Sequence, residues 1–187
     1  VNTLSGRIIT LDPGHGEISP AGNDPGAVNR KLKLTERDVV RTQANILTEL
    51  LSSKGATVRI LENNTTKTLQ QLGADAAGSH AFVSLHLNAF NGNAQGHEVL
   101  IHTKATEADA KFAMFVSNEL GSRLAIPNRG VKRQNLAILY AVAYHIPAIL
   151  TESFFIDSVP DRATLDQLLY ISSDAIAVGI EKFLSRR

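Results

Sequence analysis

No cysteine occurs among the 187 residues, which excludes disulfides and thiolate metal sites. The lack is compatible with an oxidising compartment without showing one. Charge of one sign is also missing. The net charge is +1, too small a field to argue for a nucleic-acid partner, and the closing Ser185-Arg186-Arg187 reads as a frayed end rather than a basic arm. No apolar run approaches the ~20 residues that span a bilayer, so no membrane span is expected. Nothing at the amino end has the form of a signal peptide. The chain opens on Val1 rather than Met, which fits an upstream segment removed or omitted. There is no internal repeat, no low-complexity tract and no linker. What remains is ordinary for a globular protein, with 43% hydrophobic and 20% charged residues. The length suits one domain over 1–187 with a substantial core.

Apolar runs alternate with helical patterns along the chain. Ile8, Ile9 and Leu11 read as a buried strand that Pro13 and Gly14 end, delivering His15 between two glycines. Residues 17–34 read as a long polar loop, a length that is often functional. Thr35 is a plausible N-cap for a helix with Glu36 and Asp38 in its first turn and an apolar face from Val39 to Leu51, stopping at Gly55. A second strand spans 56–61, and a helix 68–77. The third strand, 81–86, ends in His86. A strand over 96–102 and a helix over 107–124 follow, broken by Pro127-Asn128-Arg129-Gly130. Residues 136–140 are ambiguous. Pro147 to Thr151 reads as a short buried strand with Glu152 at its carboxyl end, followed by two helices, 161–168 and 173–184. The alternation implies an α/β sandwich with a mostly parallel sheet.

In such folds ligands bind beyond the carboxyl ends of the strands. His15, His86 and Glu152 sit at strand ends, and Glu36 opens the first long helix. Two histidines and a carboxylate form the open ligand set of a catalytic zinc. A further carboxylate serves as general base towards a water that the metal activates. Each residue alone has a plainer reading. His15 reads as an exposed turn residue, His86 as a core histidine, Glu36 as a partner of the helix dipole, and Glu152 as half of a salt bridge. Histidines 80, 97, 102 and 145 lack this placement and read as surface or structural. The glycines around His15 complete no phosphate-loop motif.

Taken together, Leu11-Asp12-Pro13-Gly14-His15-Gly16, Asp24-Pro25-Gly26-Ala27, Glu36-Arg37-Asp38-Val39 and Ser84-Leu85-His86-Leu87-Asn88-Ala89 resemble the zinc-dependent N-acetylmuramoyl-L-alanine amidases of the amidase-3 family. These include bacterial cell-wall autolysins and phage endolysins. Asn128-Arg129-Gly130-Val131-Lys132 and Pro147-Ala148-Ile149-Leu150-Thr151-Glu152 match later family blocks. Ser153-Phe154 stands where the family usually has Gly-Phe. The resemblance implies a three-layer sandwich with a twisted six-stranded sheet and helices on both faces. It implies one zinc on His15, Glu36 and His86, with Glu152 as the catalytic glutamate. The implied reaction is hydrolysis of the amide between N-acetylmuramic acid and L-alanine in peptidoglycan, hence action in the cell wall or periplasm, or after release from a phage-infected cell. Between the His86 and Glu152 strands there is little room for a blocking helix, so an open cleft and no obligatory activator are expected; the oligomeric state is left open, with a monomer favoured. The competing readings are a zinc peptidase acting on ordinary peptides and a catalytically inactive wall-binding module.

Overall fold

The β-branched and apolar runs pair into one sheet in the computed structural model, which describes residues 2–185; Val1 and the terminal Arg186-Arg187 lie outside the described residues. The strands in chain order are β1 (Ile8–Pro13), β2 (Val28–Asn29), β3 (Leu34–Thr35), β4 (Thr57–Ile60), β5 (Ala81–Asn88), β6 (His97–His102), β7 (Asn128–Gln134) and β8 (Ala148–Phe155). Six of them form the main sheet in the order β4-β1-β5-β8-β6-β7. Every neighbouring pair is parallel except β6 with β8. The helices are α1 (Glu36–Ser53), α2 (Leu69–Ala74), α3 (Glu107–Arg123), α4 (Ala137–Ala141) and α5 (Arg162–Leu184). The expected α/β sandwich with a mostly parallel six-stranded sheet is present.

Side chains alternate across a strand, and here the two faces are covered unequally. Ile9, Leu11, Val83, Leu85, Val99 and Ile149 join the long helices α1, α3 and α5 in the main core. Phe82, Leu100, Ala148 and Leu150 pack on the other face with Leu72 of α2 and Ile138 and Leu139 of α4. The latter two helices hold only 6 and 5 residues. They cover the beginnings of β5 and β8, so His86 and Glu152, further along the same face, lie beyond their reach.

Several expectations need correction. The 17–34 loop contains the small β2–β3 hairpin, and Asn29 Nδ2 ties it to the exit of β8 through the carbonyls of Ile156 (2.9 Å) and Val159 (3.0 Å). Asn128-Arg129-Gly130 does not simply break the preceding helix but opens edge strand β7. β8 continues to Phe155, so Glu152 lies within a strand and not at its end. The two final helices are one helix of 23 residues. Ser172, where a break was expected, bonds back to the Leu169 carbonyl and accepts from the buried Gln43, which also reaches Ser153. That network gives the serine after Glu152 a structural use.

The helix pair α3 and α5 approaches closely at Gly179, where a Cβ would lie 2.8 Å from Val116 Cα. Gly179→Ala therefore overpacks this contact and is expected to cost about 1–3 kcal/mol. Urea denaturation should show a lower midpoint with an unchanged slope.

Candidate metal centre

The centre is built where β1 stops. Pro13 ends the strand, Gly14 N still donates to the Leu85 carbonyl (3.0 Å), and His15 turns away in the left-handed region at φ 68°. Few non-glycine residues adopt that conformation, and it is commonest at functional positions. Glycine is needed on either side. A Cβ at Gly14 would overlap the His86 imidazole, and one at Gly16 would overlap the Asn63 carbonyl. Gly16 and Asp24 bond each other in both directions (3.1 and 2.8 Å). This closes the intervening loop and sets the Asp24 carboxylate 2.8 Å from His15 Nδ1. His15 Nδ1–H donates to Asp24, which turns Nε2 inward, the usual device for orienting a ligating histidine.

Nε2 lies 3.1 Å from Glu36 Oε1, and His86 Nδ1 lies 3.0 Å from the same oxygen. Glu36 is buried at the first position of α1, where the helix dipole favours a negative charge. Its Oε1 also accepts from Leu87 N (2.9 Å) and its Oε2 from Ala27 N (2.9 Å). Gly26 keeps the space open, since a Cβ there would lie 2.6 Å from both Glu36 Oε2 and His15 Cδ2. One ligand atom from each of His15, Glu36 and His86 lies within 4.8 Å of the others, a group able to hold a metal ion. In a tetrahedral site with bonds of about 2.0–2.1 Å, neighbouring donors sit roughly 3.3 Å apart. The two approaches to Glu36 Oε1, 3.1 and 3.0 Å, are close to that spacing, and two imidazoles with one carboxylate leave the fourth position open.

Burial works against charge at both histidines, but the carboxylates outweigh it. Glu36 and then Asp24 raise the His15 pKa to about 9. At His86, burial is likewise overcome by Glu36 and Glu152, and its pKa rises. Burial would raise Glu36, yet the two imidazoles hold it well below the usual carboxylate range. Glu152 goes the other way. It is the cross-strand partner of His86, and Oε2 is buried with no hydrogen-bond partner. Burial pushes its pKa up to about 7, opposed by His86 and reinforced by Glu36 and Glu98. A carboxyl that titrates near neutrality suits proton transfer at neutral pH.

All four expected residues therefore gather at one edge of the sheet. Asp24 and Gly26 were not singled out for roles at the site. Their only signal was the Asp24-Pro25-Gly26-Ala27 block, because a contact made across a loop leaves no periodic trace. His97 and His102 are buried away from the centre, and His80 Nδ1 accepts from Ile8 N, in keeping with structural roles.

A family model described as N-acetylmuramoyl-L-alanine amidase matches residues 9–182. Among curated proteins the chain is similar to "Probable cell wall amidase LytH" of Staphylococcus epidermidis, 29% identical over 98% of this chain and 60% of the relative. It is also similar to N-acetylmuramoyl-L-alanine amidase LytC of Bacillus subtilis, 31% identical over 95% of this chain and 35% of that protein. The chain thus spans about 60% of the length of the first of these relatives. Among solved structures, an N-acetylmuramoyl-L-alanine amidase from Clostridium difficile 630 superposes with a TM-score of 0.83 at 27% identity, covering 95% of this chain and 96% of the other. The CwlD amidase of Clostridioides difficile, solved in complex with the GerS lipoprotein, gives 0.81 at 25% identity over 97% and 100%.

The histidine shifts carry a prediction for the metal-free protein. A raised His15 pKa contributes stability that is complete below 6.5 and is lost as pH rises through about 9. Stability should therefore decline across that window, and the difference from His15→Asn, measured by urea denaturation at several pH values, should carry the decline. Ligation needs a bare imidazole nitrogen, so zinc binding at pH 7 should release protons. Calorimetry in buffers of differing ionisation enthalpy reads that release directly.

Proposed function

The chain belongs to the family of N-acetylmuramoyl-L-alanine amidases, and from that premise we propose that this single domain hydrolyses the amide joining N-acetylmuramic acid to L-alanine in peptidoglycan. One zinc is held by His15, Glu36 and His86, and Glu152 is the general base. The reading rests on one observation above others: the three ligand atoms converge, and the cross-strand partner of His86 is Glu152, whose Oε2 is buried and unpartnered. The relatives named as cell wall amidases support action outside the cytoplasm.

Zinc bound there supplies Lewis-acid chemistry, lowering the pKa of water towards neutrality and polarising a carbonyl oxygen. The protein's own part is positioning and proton transfer. Asp24 fixes the His15 ring, and the amides of Ala27 and Leu87 hold the Glu36 carboxylate. Glu152 Oε2 accepts a proton from the attacking water as the water oxygen bonds to the amide carbon. It returns that proton to the nitrogen as the carbon–nitrogen bond breaks, leaving a carboxylic acid on the muramic acid side and a free amine on L-alanine; the second water proton then passes from acid to amine, giving carboxylate and ammonium at neutral pH.

The domain is read as a monomer that acts without an activator. Between β5 and β8 lie β6, α3, β7 and α4; α3 packs on α5 on the far face and α4 packs on α2. Neither helix is an insert laid over the metal centre.

Glu152→Gln should retain zinc and lose roughly 10²-fold to 10⁴-fold in turnover, the usual worth of general acid–base catalysis. Glu36→Ala should lose zinc and activity together. Near-normal turnover in the first variant would remove Glu152 as the base, and full zinc occupancy in the second would remove Glu36 from the ligand set. Mass spectrometry of peptidoglycan digested by the zinc-loaded domain alone should find stem peptides with a free alanine amine. If release requires an added protein, activator independence is wrong; if only ordinary peptides are cut, the amidase reading is wrong.

A further inference from the structure

The block Asn128-Arg129-Gly130-Val131-Lys132 has no part in the metal centre, yet the sheet sets it one strand away from that of Glu152, across β6. Glu98 of β6 is the direct cross-strand partner of Glu152, on the sheet face that also carries His86. Such partners have Cβ atoms about 4.5–5.5 Å apart. Glu98 is buried and accepts from Arg129 Nε (3.0 Å) and from Lys132 Nζ. Two cations thus meet one carboxylate at this end of the cleft.

Arg129 is held on every side but one. The pairing of β6 with β7 skips a residue between Asn128 and Val131, a bulge in which Gly130 takes φ 81°. Bulges of this kind re-aim a side chain. The Arg129 stem passes over Gly96, at φ 125°, where a Cβ would lie 2.8 Å from Arg129 Cδ. Its guanidinium lies over the Phe155 ring, 5.2 Å from the centroid, and its Nε edge is taken by Glu98. Among the described residues, no hydrogen bond occupies its two terminal nitrogens. Arg129 and Phe155 line a cavity of about 350 Å³ together with Asn88 and the exposed Phe90. The far wall of that cavity is fixed, because Asp157 Oδ2 accepts from Phe90 N (3.0 Å) and Gly92 N (2.8 Å).

A guanidinium oriented in this way, with its fork open, matches a carboxylate in bidentate fashion. We propose that Arg129, supported by Lys132, forms a subsite for a carboxylate of the peptide stem on the leaving-amine side of the scissile bond. The assignment rests on the amidase reading. In that substrate the muramic acid carboxyl is consumed in the amide and the glycan carries no other charge, so free carboxylates lie on the peptide alone. An extended chain advances about 3.3–3.6 Å per residue, which brings the first few stem residues from Glu152 to Arg129.

The test uses two N-acetylmuramoyl peptides that differ only in whether the stem carboxylates are free or amidated, with zinc-loaded protein and its Arg129→Gln and Arg129→Lys variants. Zinc content and thermal melting confirm that each variant is folded and loaded. The unmodified protein should favour the free-carboxylate substrate at least tenfold in kcat/KM, mainly through KM. Arg129→Gln should bring that ratio near one, and Arg129→Lys should fall between. In parallel, calorimetry with the released stem peptide, free or amidated, reads the subsite without catalysis, and Arg129→Gln should abolish the difference. Equal use of both substrates, or a preference that survives Arg129→Gln, overturns the subsite and leaves the amidase reading standing. Failure to cleave either substrate overturns the amidase reading, and the calorimetric arm still decides whether Arg129 selects a peptide carboxylate.

Discussion

The arrangement depends on one buried carboxylate. Glu36 has been taken out of water at the start of α1, which is costly unless its charge is answered. Four groups answer it: two imidazoles at 3.1 and 3.0 Å and two backbone amides at 2.9 Å. Those groups come from the end of β1, the end of β5 and the approach to the β2–β3 hairpin. Satisfying Glu36 therefore locks three separate parts of the chain into one place. The glycines at 14, 16 and 26 leave the volume in which this happens. The imidazoles meet Glu36 as proton donors, and the same three residues form a group able to hold a metal ion.

The unequal covering of the sheet explains why the centre is reachable. Long helices seal one face, whereas α2 and α4 are too short to do more than cap the beginning of the other. Polar side chains take over where the cover ends. Asp12, Ser84, His86, Glu152 and Glu98 occupy successive positions on that face, and each but Glu152 has a hydrogen-bonding or ionic partner. The exposed cations of β7 then bound the cleft on the side away from His15.

Much of this was legible in the chain itself. The strands ending near His15 and His86 announce themselves because buried parallel strands are continuous apolar runs, and Thr35 with its acidic first turn marks the start of α1 as found. β7 was not legible. Asn-Arg-Gly-Val-Lys-Arg-Gln at an exposed sheet edge buries too little on either face to leave an alternating pattern. The reversed direction of β6 was equally hidden, since hydrophobic period carries no information on strand polarity. A gap was expected at 169–172 between two helices, but one helix runs through it, where Ser172 accepts from the buried Gln43 and bonds back to the Leu169 carbonyl. Glu152 was placed at a strand end because polar residues usually end buried strands; Phe154 and Phe155 carry the strand onward.

The central claim is that His15, Glu36 and His86 converge to bind a metal while Glu152 stands apart as a base. Anomalous diffraction at the zinc absorption edge, from crystals of the zinc-loaded protein, tests it most directly. The account predicts one peak bonded to His15 Nε2, His86 Nδ1 and a Glu36 oxygen, with Glu152 beyond bonding distance. A peak on other residues, a Glu152 oxygen directly on the ion, or no peak among these side chains would contradict it.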